Sequence, residues 1–253
     1  MSNNLKSALY ARSRDFARSH CSSKQLHQLK HIASRVFIGG DLDSLAIFFD
    51  TDKNTSHSYT KHYQKHFHSL RYKRINLLEI GIGGYNIPAR GGNSLRMWKS
   101  YFPNARIFGL DIYDKSFHDD HRIKTYKGSQ IDKDLLGRIV REVGGVDIVI
   151  DDGSHINSHV IDTFQILFPL LNKHGIYAIE DLQTSYWETD DSGMNWGGSR
   201  NLASTFTSMN YLKRLADGLN YEEFLDPDYQ PSYLDQTISS LHFYRNLAFI
   251  YKV

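Results

Sequence analysis

Residues 238–253 read ISSLHFYRNLAFIYKV: two strand-like runs, Ile238 to Arg245 and Leu247 to Val253, separated by a very short break around Asn246. No crossover helix fits in such a break, so the pair must form an antiparallel hairpin. Upstream the rhythm differs. From residue 75, short apolar runs alternate with amphipathic segments, the signature of a βαβ sheet. Ile75 to Ile82 reads as the first strand, Arg106 to Tyr113 as the second and Arg122 to Lys127 as a weaker third. Asp147 to Asp151 is the fourth and Ile176 to Asp181 the fifth. Between these two, Val160, Phe164, Leu167, Phe168 and Leu171 mark a helix facing the sheet, with Lys173-His174-Gly175 as its stop. The expectation is a seven-stranded, mostly parallel α/β sheet closed by a hairpin.

The fourth and fifth strands end in paired acids, VDIVIDDGSH (146–155) and GIYAIEDLQ (175–183). If the strands are neighbours, their carboxyl ends open on one edge and several carboxylates converge beside His155. Such groups repel one another and resist desolvation, so the cluster is expected to hold a cation. Oxygen ligands without cysteine favour Mg²⁺ over Zn²⁺.

The first strand runs LLEIGIGG (77–84) into a glycine-rich turn, where Gly81 and Gly83 let backbone approach a ligand. Dinucleotide-binding proteins share that motif. Glu79, however, would repel a pyrophosphate and suits a cationic amino-acid moiety. Asp111, at the second strand's end, is suited to accept from both ribose hydroxyls. Ser129 and Gln130 are placed to cover an adenine, and Asp151 is counted with these contacts. Together they fit S-adenosylmethionine better than NAD, and a parallel sheet finished by a hairpin is the arrangement of class I (Rossmann-like) methyltransferases. The long first turn, GGYNIPARGGNSLRMW (83–98), is expected to open a helix capped by Asn93 or Ser94, with an anion or the methionine carboxylate at its N-terminus.

Bulk numbers are those of an ordinary globular chain: 253 residues, 40% hydrophobic, 23% charged, net charge +2. Nothing in that balance argues for nucleic acid. No apolar stretch approaches the roughly 20 residues of a membrane helix. The single cysteine, Cys21, excludes an intrachain disulfide and a cysteine-based metal site, and a cytoplasmic setting is the default. The first forty residues are basic, with Asp15 their only acid. An organelle transit peptide has this composition, but a basic helical arm explains it as well and is the expectation here. Leu26, Leu29, Ile32, Ala33, Val36 and Phe37 recur at helical spacing before Gly39-Gly40, and this face is expected to pack on its own domain or on a partner subunit. The organisation expected is an N-terminal helical arm (1–50) and a catalytic domain (51–253). Within the latter, 188–236 is a substrate-covering insertion: a Gly/Trp loop, then a helix with Leu202, Phe206, Met209, Leu212, Leu215 and Leu219 on one face.

From about Thr51 onward the chain resembles the metal-dependent macrolide-sugar O-methyltransferases. The matching pieces are Asp52-Lys53, HSYTKHY (57–63), GGYNIPARGGNSLRMWKSYFP (83–103), GLDIYDKS (109–116), IDDGSH (150–155) and IEDLQTSYW (179–187). The resemblance implies a magnesium ion held by Asp152, Glu180 and Asp181, and His155 as the general base. It implies methyl transfer from S-adenosylmethionine to a sugar or glycoside hydroxyl, of the antibiotic-biosynthesis type, in a homo-oligomer (dimer or larger). It also puts the 57–68 segment near the cofactor, with Tyr59 and Thr60 as contacts. The histidines at 57, 62, 66 and 68 are set aside as metal ligands, because no carboxylate or cysteine accompanies them. A non-catalytic cofactor-binding partner, a hydroxylase-like tailoring enzyme and a dehydrogenase are the weaker alternatives.

Overall fold

A computed structural model describes residues 23–55, 58–189 and 192–253. Cys21, His57 and the basic residues before Ser23 lie outside the described residues. The strands are β1 (Asn76–Ile80), β2 (Arg106–Asp111), β3 (Ile123–Lys127), β4 (Val146–Asp151), β5 (Leu171–Ile179), β6 (Ile238–Tyr244) and β7 (Leu247–Lys252). They form one seven-stranded sheet in the order β3-β2-β1-β4-β5-β7-β6. The first five run parallel; β7 is antiparallel to both β5 and β6. The hairpin turns at Arg245-Asn246, with Asn246 at φ 61°. The strand order reverses between β1 and β4, so a crevice opens beyond their carboxyl ends.

Adjacent residues of each central strand face opposite layers, as the period of two requires. Leu77, Ile148, Ile176 and Phe249 join Trp98, Phe102, Tyr63 and Phe67 on one side. Leu78, Val149, Tyr177 and Ile250 join Ile139, Phe164 and Leu167 on the other. The Leu42–Phe49 helix buries Leu42, Leu45, Ala46 and Phe49 in the first layer. These residues share that layer with residues beyond position 50.

Several local expectations change. The Asn157–Leu170 helix stops at Pro169-Leu170, and Lys173-His174-Gly175 lies inside β5, because Leu171 already pairs with Val146 and is buried. The Asn93–Tyr101 helix is capped by neither Asn93 nor Ser94: Gly92 occupies its N-cap at φ 68°, Asn93 donates to the Asp50 carbonyl, and Ser94 turns to Glu79.

The Ser23–Phe37 helix buries His31 and Ser34 against Ser100, leaving Leu29, Ile32, Val36 and Phe37 exposed. Among the described residues, only Leu26 and Ala33 of its apolar face are half-buried. Leu202 and Phe206 are exposed and precede the Ser208–Gly218 helix, which Thr207 caps. Leu212 and Leu215 of that helix are buried in the second layer, so its apolar face goes to the core rather than over the crevice. No described helix is long and apolar enough to cross a membrane.

Candidate active site

The crevice is an open cleft of about 200 Å³ lined by Asp50, Thr51, Asp52, Gly81, Ile82, Gly83, Gly91, Asn93, Ser94 and Asp152. Gly81 must be glycine: its φ is 83°, and a Cβ there would run into the Asp152 carbonyl oxygen. The turn is fixed by backbone bonds from Gly81 N to Leu110 O (2.8 Å) and from Asp152 N to Ile80 O (2.9 Å). Gly81, Gly83 and Ser94 thus stand at the cleft.

The paired acids divide by strand alternation. Asp151 turns into the second layer, where it is 1% exposed and receives Gln130 Nε2 at 3.3 Å. Burial, relieved in part by the Gly153 amide, pushes its pKa up to about 7. Asp152 and Glu180 turn to the opposite layer. Asp181 follows at φ 54°, and His155 at φ 55°, left-handed conformations that are costly for these residues and gather at functional sites. Asp152, His155 and Asp181 each offer a ligand atom within 4.8 Å of the others. His155 Nε2 lies 3.8 Å from Asp152 Oδ1 and 3.6 Å from Asp181 Oδ2. His155 does not cap the following helix, whose N-cap is Ile156.

Glu180 is occupied differently. Its Oε1 receives Lys53 Nζ at 2.7 Å and Tyr63 Oη at 2.6 Å, and it is 3% exposed. Burial and the neighbouring Asp152 push its pKa well up, against the pull of Lys53. The same Nζ reaches Asp152 Oδ2 at 2.6 Å and Glu79 Oε1 at 3.3 Å. Burial alone would lower the Lys53 pKa; the three carboxylates more than reverse this and hold it well above its usual value. A buried ammonium among carboxylates is tolerated only when paired in this way.

The donor set fits a divalent ion: carboxylate oxygens converge, the local charge is negative, and the His155 imidazole stands beside them. Asp152 and Asp181 would hold it at this cluster, with Glu180 next to Asp181 and bound to the same ammonium as Asp152.

The remaining expected cofactor residues distribute as follows. Glu79 is fully buried behind the cleft, accepting from Ser94 Oγ (2.7 Å) and Trp98 Nε1 (3.3 Å), and burial raises its pKa. Asp111 accepts from Ile82 N at 3.0 Å and Tyr113 N at 2.9 Å, so its carboxylate braces the glycine turn. Gln130 is a strut: besides Asp151 it bonds Thr163 Oγ1 at 3.0 Å and receives Ser154 N at 2.7 Å. Ser129 is half-buried and receives Ile131 N at 3.4 Å. Tyr59 and Thr60 do not line the cleft. Tyr59 donates to Asp181 Oδ1 at 2.8 Å and Thr60 to Asp43, because the segment carrying them runs against the acid cluster and the Leu42–Phe49 helix.

His62 stacks on Tyr244, and both ring nitrogens of His66 meet tyrosine hydroxyls, Tyr251 at 2.7 Å and Tyr244 at 2.9 Å. That cluster belongs to the hairpin, not to the cleft. Sequence reasoning gave no role to Lys53 or Tyr63. The only signal was that both fall within segments shared with the family the chain resembles.

Sheet order, hairpin and crevice define a class I methyltransferase fold. A solved structure of the mycinamicin-pathway methyltransferase MycE, in complex with Mg and SAH, superposes with a TM-score of 0.78 at 46% identity, covering 84% of this chain and 53% of that one. Among curated proteins the chain is 46% identical over 215 residues to mycinamicin VI 2''-O-methyltransferase of Micromonospora griseorubida, covering 84% of this chain and 52% of the relative. It is 44% identical over 212 residues to 8-demethyl-8-alpha-L-rhamnosyl tetracenomycin-C 2'-O-methyltransferase of Streptomyces olivaceus, covering 83% of this chain and 54% of that one. It is also 44% identical over 215 residues to demethylmacrocin O-methyltransferase of Streptomyces fradiae, at 84% and 53% coverage. These curated homologues are sugar O-methyltransferases, which is the resemblance the motifs carry. The chain spans about half the length of the curated relatives it matches. No family model matches it.

Proposed function

We propose that this chain transfers the methyl group of S-adenosylmethionine to a hydroxyl of a sugar or glycosylated small molecule, with Mg²⁺ as cofactor. The carrying observation is the convergence of Asp152, His155 and Asp181 at the carboxyl ends of two adjacent parallel strands, with Asp152 also lining the glycine-walled cleft. The relatives named for 2''- and 2'-O-methylation of sugars support the acceptor class, and MycE's complex with Mg and SAH supports the cofactors.

A sugar hydroxyl is a weak nucleophile near neutral pH. A divalent ion held here would supply Lewis acidity, which makes a hydroxyl easier to deprotonate by several pKa units. The chain's own residues do the rest. Asp152 and Asp181 would hold the ion, with Glu180 as the third carboxylate. His155, within reach of both aspartates, takes the hydroxyl proton on Nε2. Gly81 and Gly83 would let the backbone approach the cofactor, and much of the rate gain would come from positioning.

A cytoplasmic homo-oligomer, dimer or larger, belongs to the same reading. The exposed stripe of Leu29, Ile32, Val36 and Phe37 supports it, and light scattering after gel filtration checks it. The decisive test of function is S-adenosylhomocysteine formation with a panel of glycosides. Activity should vanish in EDTA, return with Mg²⁺, and be lost almost entirely in Asp152→Ala. Turnover that survives chelation removes the metal from the mechanism.

A further inference from the structure

One short segment before the first strand reaches every carboxylate at the proposed ion site. Lys53 donates to Asp152 Oδ2 (2.6 Å) and Glu180 Oε1 (2.7 Å). Tyr63 donates to the same Glu180 oxygen at 2.6 Å, and Tyr59 donates to Asp181 Oδ1 at 2.8 Å. The segment is itself pinned: Tyr59 N bonds Lys53 O at 2.8 Å, and Tyr63 lies in the buried aromatic group of Phe67, Trp98 and Phe249. In each aspartate the oxygen facing His155 is the other one, Oδ1 of Asp152 and Oδ2 of Asp181. One oxygen of each acid is thus held by the segment while its partner oxygen faces the site.

We propose that this segment sets the ion affinity of the acid cluster by two opposed effects. Tyr59 and Tyr63 are positioning residues that raise it. Lys53 is a built-in cation that lowers it. The proposal rests on the reading of Asp152, Glu180 and Asp181 as the ion's ligands.

The signs follow from charge. A tyrosine hydroxyl is neutral and donates one hydrogen bond, so its removal leaves the site's charge unchanged and costs only the orientation of the carboxylate. Loss of such an outer partner typically weakens metal binding by roughly 10–100-fold. An ammonium bonded to two of the ion's own ligands must be the ion's neighbour, and two cations a few ångströms apart repel strongly in a buried site. Neutralising Lys53 removes that repulsion and releases Asp152 and Glu180 to the ion. The lysine still has a purpose. Four carboxylates, Glu79, Asp152, Glu180 and Asp181, would keep a formal negative excess even with a divalent ion and a sulfonium beside them, and Lys53 closes that balance.

Calorimetry with Mn²⁺ on the full chain, without acceptor, tests this. Tyr59→Phe and Tyr63→Phe should each weaken Mn²⁺ binding by roughly tenfold or more, and Lys53→Met should tighten it by tenfold or more. Thermal unfolding in EDTA checks that each variant is folded. Should Lys53→Met not fold, Lys53→Gln, neutral but still a donor, carries the same arm. A segment that merely props up the structure would move all variants the same way, and that result, or Mn²⁺ affinities that do not change, overturns the inference. A wild-type chain that binds no Mn²⁺ overturns the metal reading itself.

Discussion

Asp151→Asn is a substitution whose effect depends on pH in a way the structure dictates. The carboxyl is buried, its Oδ1 meeting Gln130 Nε2 at 3.3 Å and Gly153 N at 3.4 Å, its Oδ2 meeting the Tyr177 hydroxyl at 3.5 Å. An asparagine keeps these partners by turning its oxygen to Gln130 and Gly153 and its NH₂ to the Tyr177 oxygen. The charge is what differs. Burial lifts the pKa from 3.8 to about 7. An acid whose folded pKa is raised binds more protons when native than when unfolded. Stability is therefore full below the unfolded value and is lost as pH rises toward the folded value. At about 1.4 kcal/mol per unit, the wild type has given up roughly 2 kcal/mol by pH 5 and roughly 4 kcal/mol by pH 8. Asparagine does not titrate. The stability advantage of Asp151→Asn over wild type should grow by roughly 2–3 kcal/mol between pH 5 and pH 8. Urea unfolding of both proteins in EDTA at the two pH values measures the difference directly, and all other titrating groups cancel to first order. A difference that stays flat within about 0.5 kcal/mol, on the order of extrapolation error, refutes the placement of a protonated carboxyl at this position.

Three further outcomes are expected. His155→Gln should lower kcat by roughly 10²–10⁴ while leaving S-adenosylhomocysteine affinity unchanged, a split that steady-state kinetics and calorimetry resolve together. Gly81→Ala forces a side chain into the Asp152 carbonyl and an unfavourable φ, so cofactor binding should be lost in titration even where circular dichroism shows a folded chain. Leu212→Ala, in the layer opposite Lys53 and Tyr63, should cost roughly 2–5 kcal/mol in chemical denaturation and leave the cofactor affinity of the folded protein intact.

The fold is legible in the sequence because its signals are local. The hairpin at 238–253 needs only the shortness of its break, and β1, β2 and β4 are apolar runs with clear ends. The misreadings have a common cause. Gly175 resembles a helix stop, but the helix already ends at Leu170, and pairing with Val146 carries Leu171 to Gly175 into β5. The N-terminal helix shows the sequence reader its apolar stripe. That stripe is exposed because the buried face is instead held by the bonds of His31 and Ser34 to Ser100, an arrangement periodicity does not register. Asn93 and Ser94 have good cap chemistry, yet Asp50 and Glu79 claim their side chains.

The site divides along the same line. That strand-end acids would meet is readable from two apolar runs of strand length. Which acid of each pair faces the cleft is also readable in principle, since neighbours on a strand point to opposite faces. Asp151 goes to the layer of Tyr177 and Thr163, Asp152 and Glu180 to the layer of Lys53 and Tyr63. What no pattern discloses is the group that arrives from elsewhere in the chain. Lys53 lies 99 residues from Asp152 and 127 from Glu180, on a helix of four residues. Lysine is among the residues least often fully buried, so composition alone puts it at the surface. Only the carboxylate cluster reverses that prior, and the cluster exists only once the sheet has closed. A buried ammonium at this place is therefore a property of the tertiary structure, held by Glu79, Asp152 and Glu180 together.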